Sequence, residues 1–446
     1  MTGLTDKQAA GVLTMLDMAP DRTVGALAQA LAADLRASGA MAEIRDLVRA
    51  ELEQRRVRAA VFHPIARLCA AERGGRKLGF PPSTLAAVWR GLKAHAPDEI
   101  AAAAATFRDL RDPDAPEPEV FDQLCRRAAK GLREPAAAYA AAARLLDADQ
   151  AGGAEAFAIC LDLAPIVRGA LRRLPDWFGR MSDEGAAAAR LAYADSVAVS
   201  AGAGPWLFDI LALHLDEPWM ILRVLSAVMD RPGDSYVSGS EVARFGEQLL
   251  DEVDTRLDTI KHFDGAGDEA ALAAARSVDV AARIVAQFES DFDLSRDGPW
   301  GRRIAQQKQT LAAVVEARLR ALDKALAAAL PVQPQRGLGR QQRNVPRLSE
   351  ELDLGAVDRA DAMLVFLQAT RVSAGHAGFG VAWQKASEAA AKQIDQYSED
   401  LLDLLHVGDA EDPGRVRRFL DAAARLTRRV NGDRAAEVMR RRAAAA

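Results

Sequence analysis

Apolar residues recur at helical spacing along almost the whole chain, and each run is closed by a proline, a glycine or a capping residue. Thr5 and Gln8 have the spacing of a reciprocal capping pair ahead of Val12, Leu13 and Leu16. Pro20 ends that run, and Ser38-Gly39 ends the next. Between about 41 and 62, Ile44, Leu47, Val48 and Leu52 share a face with charges between them. Pro64 opens a short helix that ends at Gly74-Gly75, Ser83 caps one running to His95, and Pro97 opens an alanine-rich one.

After the acidic, turn-rich run 112–119, the pattern predicts short helices near 117–132, 135–147, 153–174, 182–199, 205–215 and 217–230. Pro165 is expected to kink or split the third, because it removes a backbone hydrogen bond inside the pattern. Three longer helices follow, near 238–263, 268–290 and 299–330. Leu250, Val253, Leu257 and Ile260 have bundle spacing. The expected fold class is all-α, a multi-unit helical protein: short hairpins, then a long-helix bundle, then a C-terminal helical unit. The expected boundaries are 1–111 (with a basic segment 55–97), 117–235 (solenoid-like hairpins), 236–330, a basic linker 331–347 and 348–446. Prolines, glycines and glutamines replace apolar residues in 331–347, which is linker composition.

Composition strengthens the helical reading. Alanine fills 94 positions and aromatic residues only 24, which favours helix over strand. Arginine outnumbers lysine 49 to 9, the usage of a GC-rich bacterial genome. Cys69, Cys125 and Cys160 form no CxxC pair, so neither a disulfide scaffold nor a zinc ribbon is expected, and a reducing cytoplasm fits. The first residues lack the pattern of a secretory signal, and the uncharged stretch 196–208 is too short and too broken by Gly202, Gly204 and Pro205 to span a bilayer.

Charge changes the picture more than composition does. The net charge is −5, yet 55–97 sets nine basic side chains against Glu72, and 413–446 sets ten arginines against three acids. Residues 348–412 are acidic, so the basic C-terminus is expected to fold back on them, burying Val416, Phe419, Leu420, Leu426 and Val430. Segment 55–97 has no such neighbour in sequence. Its loop Arg73, Gly74, Gly75, Arg76 and Lys77, leading to Ser83 at a helix start, is therefore the candidate anion-binding site. Glycines open the backbone there, the cations supply charge, and the helix N-terminus adds a favourable dipole. The competing account is an exposed turn.

Other constellations are weaker. Asp251, Asp254, Asp258 and His262 share a helical face as metal ligands would, but they flank a buried stripe, where a solvated charge row is ordinary. Ser373-Ala-Gly-His-Ala-Gly-Phe-Gly380 reads as a dinucleotide loop only if 362–367 is a strand, and its spacing continues a helix. His214, Asp216 and Glu217 meet at a helix end, and the triplets ending in Trp206, Trp219 and Trp300 read as repeated helix starts. No GxSxG, HExxH or Walker pattern is present. No catalytic, cofactor or metal residue is therefore assigned, and no cofactor is expected. The expected function is a non-enzymatic cytoplasmic scaffold or adaptor that contacts protein partners. The alternative is binding of an anionic ligand, nucleic acid or lipid, by the basic segments, and a third reading is an enzyme with a pocket between helices.

Overall fold

Capped, alanine-rich amphipathic segments become helices throughout the computed structural model. It describes residues 3–33, 39–70, 78–109, 118–134, 136–178, 181–229, 233, 238–336, 342–408 and 411–445. The first eleven helices are α1 (Asp6–Met18), α2 (Asp21–Ala33), α3 (Ala40–Phe62), α4 (Thr84–His95), α5 (Pro97–Asp109), α6 (Glu119–Arg133), α7 (Ala140–Asp149), α8 (Gly153–Phe178), α9 (Asp183–Val199), α10 (Ala203–Leu213) and α11 (Ile221–Val228). Then come α12 (Ala243–His262), α13 (Asp268–Asp291), α14 (Pro299–Ala329), α15 (Leu354–Ala369), the single turn α16 (Arg371–Ala374), α17 (Gly380–Val407), α18 (Pro413–Asn431) and α19 (Asp433–Ala445). The protein is all-α, and its helices gather into two compact units, Met1–Asp230 and Arg231–Ala446.

Two expectations change. α8 runs unbroken through Pro165 and Pro175. Half of its residues are buried, and that burial outweighs the lost hydrogen bonds. The supposed linker is an antiparallel pair, β1 (Val332–Arg336) and β2 (Gln342–Pro346), with Val332 opposite Pro346 and Arg336 opposite Gln342. Just outside the pair, the Arg347 N–H donates to the Pro331 carbonyl at 2.8 Å. Bonded and non-bonded pairs alternate in such a ladder, so the bonded ones are Gln333 with Val345 and Gln335 with Arg343. Pro334 and Pro346 occupy the positions whose N–H would point outward, where a missing donor does not weaken the ladder.

In the first unit, α8 is the central element, and Phe157, Leu161, Leu163, Val167 and Trp177 are buried along it. Cys69, Cys125 and Cys160 are buried and form no disulfide. Tyr139 is buried beside Gly91 and Gly131, at each of which a Cβ would run into its ring. The Tyr139 hydroxyl has no hydrogen-bond partner among the described residues. In the second unit Trp300 is buried at the start of α14, edge-on to Phe288 at 5.3 Å and Phe292 at 5.5 Å. Its indole N–H donates to Glu247 at 2.6 Å. The basic α18 does fold back: Val416, Phe419, Leu420 and Leu426 are buried, and Val430 is half-buried.

Many arginines address the carboxyl ends of other helices. The last carbonyls of a helix lack intrahelical partners and carry partial negative charge. Arg55 donates to Leu16 of α1. Arg168 donates to Ala60 and Val61 of α3, Arg223 to Phe178 of α8, and Arg67 to Leu213 of α10. Arg190 reaches Ala227 of α11, and Arg318 reaches Phe263 at the end of α12. Arg168 is the most committed. It is 3% exposed, its Nε meets Asp122 at 3.0 Å, and its guanidinium lies over the Phe121 ring.

Arg168→Ala should cost about 3 kcal/mol, because it strands Asp122 and two carbonyls. Arg168→Lys should lose more than about 1 kcal/mol, since one ammonium cannot reproduce the planar fork. Urea unfolding reads both. At the Tyr139 slot, Gly131→Ala should destabilise by about 1–3 kcal/mol through overpacking. Tyr139→Phe should leave the melting temperature unchanged or higher, because it removes a buried hydroxyl with no partner.

Candidate functional site

Of the expected anion site, Arg73, Gly74, Gly75, Arg76 and Lys77 lie outside the described residues. Ser83 does precede α4, but its backbone is helical and its side chain makes no capping hydrogen bond. Most other cations of the basic segment have internal partners, while Arg56 is exposed and makes no ion pair among the described residues. Arg55 and Arg58 bind Asp21, Arg55 also binds Glu51, and Lys93 lies 3.4 Å from Glu51. Arg90 approaches Asp17 at 3.5 Å. The acids come from α1, α2 and the first half of α3, so the neutralising stretch missing from the local sequence is supplied by folding.

The other constellations are also accounted for. Arg303 takes Asp251 and Asp254, and the His262 imidazole N–H donates to the Asp258 carbonyl at 2.7 Å. Among the described residues no three His, Cys, Asp or Glu side chains converge as metal ligands. Residues 362–367 lie inside α15 rather than in a strand, which removes the dinucleotide reading of 373–380. Ser373 instead donates to Asp279 at 3.0 Å. Trp206 is half-buried in α10, and Trp300 is buried at the start of α14.

His214 sits between two backbone ends. Its Nε2–H donates to the Pro64 carbonyl at 3.0 Å, and its ring lies 5.4 Å from that of His63. Burial pulls its pKa below the usual 6.5. The Pro64 carbonyl opposes that shift, and the positive charge of Arg67 and His63 adds to it.

Two clefts in the second unit gather charged side chains. One, of about 540 Å³, surrounds the loop 264–268, where Gly265 (φ 89°) and Gly267 (φ 114°) need left-handed backbone. Its charges are balanced. Asp361, 1% exposed, accepts from Arg425 at 2.8 Å and from Arg429 at 2.8 Å. Arg425 also binds Asp358, and Arg429 binds Asp268. Burial alone would raise the Asp361 pKa, but hydrogen bonds from Arg429 and Arg425 outweigh it and hold the carboxyl below 3.8. Asp268, Asp358, Asp361, Arg425 and Arg429 serve one another and clamp α18 to α15 and to the start of α13, while Asp264, Arg359 and Arg428 line the cleft without an ion pair among the described residues.

The second cleft is different. It encloses about 750 Å³ between the hairpin, the carboxyl end of α17 and the start of α18. Val345, Pro346, Leu348, Leu404, Val407 and Val416 supply an apolar lining. Asp400, Asp403, Glu411 and Asp412 face it against a single cation, Arg415. Arg415 is engaged with the Leu348 carbonyl at 2.8 Å and with Glu351 at 3.2 Å. Asp412 caps α18 by accepting the Arg415 N–H at 3.0 Å, and Asp400 accepts from Gln396 at 3.1 Å. Asp403 and Glu411 are exposed and make no hydrogen bond or ion pair among the described residues. Sequence reasoning missed this site. Its one signal was two aspartates near the end of an apolar-faced helix, where the dipole disfavours acids.

No family model, curated protein or solved structure matches the chain.

The depressed pKa of His214 sets a pH dependence. The unfolded state binds the proton more readily, so the stabilisation is complete above pH 6.5 and is lost as pH falls through the lower folded value. Melting temperatures between pH 7.5 and 5 should therefore fall in the wild type and fall less steeply in His214→Gln.

Proposed function

We propose that this chain is a non-enzymatic helical scaffold or adaptor that binds a protein partner in the cleft at the carboxyl end of α17. One observation carries the reading: an open cleft of about 750 Å³ whose lining combines six apolar residues with acidic ones and includes no His, Cys, Lys or Tyr. Such a lining offers no imidazole, thiol or amine beside its carboxylates, and its apolar and acidic residues together suit recognition. Cys69, Cys125 and Cys160, buried and without a disulfide, support a cytoplasmic setting. Among the described residues, no helix is long and apolar enough to cross a membrane.

The anion-binding alternative draws less support. Arg415, Arg418, Arg425, Arg429 and Arg442 of the basic C-terminus pair with Glu351, Asp358, Asp361, Asp268 and Glu399. Cations already held in this way attract phosphates weakly.

A photo-crosslinking residue placed at Val407, which is 70% exposed on the cleft rim, should give a protein adduct of one defined mass in the native cell. The same residue at Glu388, about 28 Å away along α17 at 1.5 Å per residue, should give none. Equal labelling at both positions, or adducts with nucleic acid alone, would remove the interaction reading.

A further inference from the structure

We infer that the cleft takes a short amphipathic helix from a partner protein, one that sets Lys or Arg beside its apolar side chains. This rests on the reading of the chain as an interaction protein and names the chemistry of the partner.

Charge complementarity gives the sign. Four carboxylates line the cleft, and its one cation is turned toward Leu348 and Glu351. Asp403 and Glu411 have no ion-pair partner among the described residues. The backbone adds to the same field. α17 ends at Val407, with Gly408 in left-handed conformation, so its final carbonyls and the negative end of its dipole lie beside these acids. Elsewhere in this protein helix carboxyl ends are met by arginine from another helix, as Arg168 meets α3 and Arg223 meets α8. A cationic side chain from a partner would complete the same arrangement at the end of α17.

Shape gives the rest. Asp400, Asp403, Leu404 and Val407 follow one another at intervals of 3, 1 and 3, which places them on a single helical face. That face extends over about 10 Å, or two helical turns. An extended peptide buried here would need backbone partners from the neighbouring strand. Pro346, which lines the cleft, has no N–H, and Pro334 blunts the other strand in the same way. A helix satisfies its own backbone and needs only side-chain recognition, with apolar anchors meeting Leu404 and Val407 and cations meeting Asp403 and Glu411.

The test uses the full chain and three labelled 16-residue peptides, followed by fluorescence anisotropy. One carries Leu at i, i+3 and i+7 with Lys or Arg flanking them. The second has the same composition scrambled, so that it has no apolar face. The third replaces each cation by Glu. The first should bind, and the other two should bind at least about tenfold more weakly. Asp403→Lys with Glu411→Lys should abolish binding, and the milder Asp403→Asn with Glu411→Gln should weaken it while leaving helicity and melting temperature unchanged. Glu388→Lys, remote on α17, should have no effect. Equal binding of the scrambled peptide, or unaltered binding to both double variants, would overturn the inference. If crosslinking at Val407 captures a protein while the basic peptide does not bind, the interaction reading stands and the partner's chemistry is wrong. If neither occurs, both fail.

Discussion

Helix ends set the main constraint on this protein. With 19 helices among the described residues, the chain has many sets of terminal carbonyls without intrahelical partners. Burying such groups without a donor costs more than a hydrogen bond normally contributes. Arginine solves the problem over long sequence distances. Its side chain reaches across a helix packing distance, its fork serves two acceptors, and its charge complements the dipole. Arg168 illustrates all three properties, tying α8 to the last turn of α3 and to Asp122 on α6. Arg55 does the same for α1, with Asp21 and Glu51 balancing its charge. In the second unit the roles are inverted, because the buried group is the carboxylate Asp361 and the arginines come to it.

That constraint explains where the sequence could be read and where it misled. Helix positions followed from caps and apolar spacing, and α4, α9, α13 and α14 lie within two residues of their expected limits. The fold-back of α18 was visible because opposite charges lay in adjacent segments of the chain. The basic segment was misleading for the same local reason. A sequence shows which charges are neighbours along the chain, whereas Asp17 and Asp21 reach Arg90, Arg55 and Arg58 only through packing. Backbone carbonyls, the other partners of these arginines, leave no mark in the sequence at all.

The hairpin shows a second kind of blindness. Proline, glutamine and arginine in 331–347 contain no alternation of apolar and polar residues, so nothing in the composition separates a strand from a linker. What separates them is parity. Pro334 and Pro346 both fall on the outward-facing register, so the ladder keeps its donors at Gln333, Val345, Gln335 and Arg343. A shift of one residue in either strand would bring one of the two prolines to a bonded position and remove that hydrogen bond from the ladder. Register, a property of the pair and not of either strand, decides the element.

The cleft beside the hairpin follows from these two features together. Two short strands with proline-blunted edges cannot extend into a sheet, so they wall a cavity without closing it by further pairing. The helix that forms the opposite wall ends there with no guanidinium hydrogen-bonded to its last carbonyls or to Asp403 among the described residues, Asp403 feeling only the charge of Arg442, although the chain supplies arginines to so many other helix ends. Arg415 is near enough to serve, yet it turns to the Leu348 carbonyl and to Glu351. A local charge arrangement that opposes the helix dipole is retained where the fold has the means to correct it. Such exceptions to local consistency are the places where function is expected, because selection for stability alone would remove them.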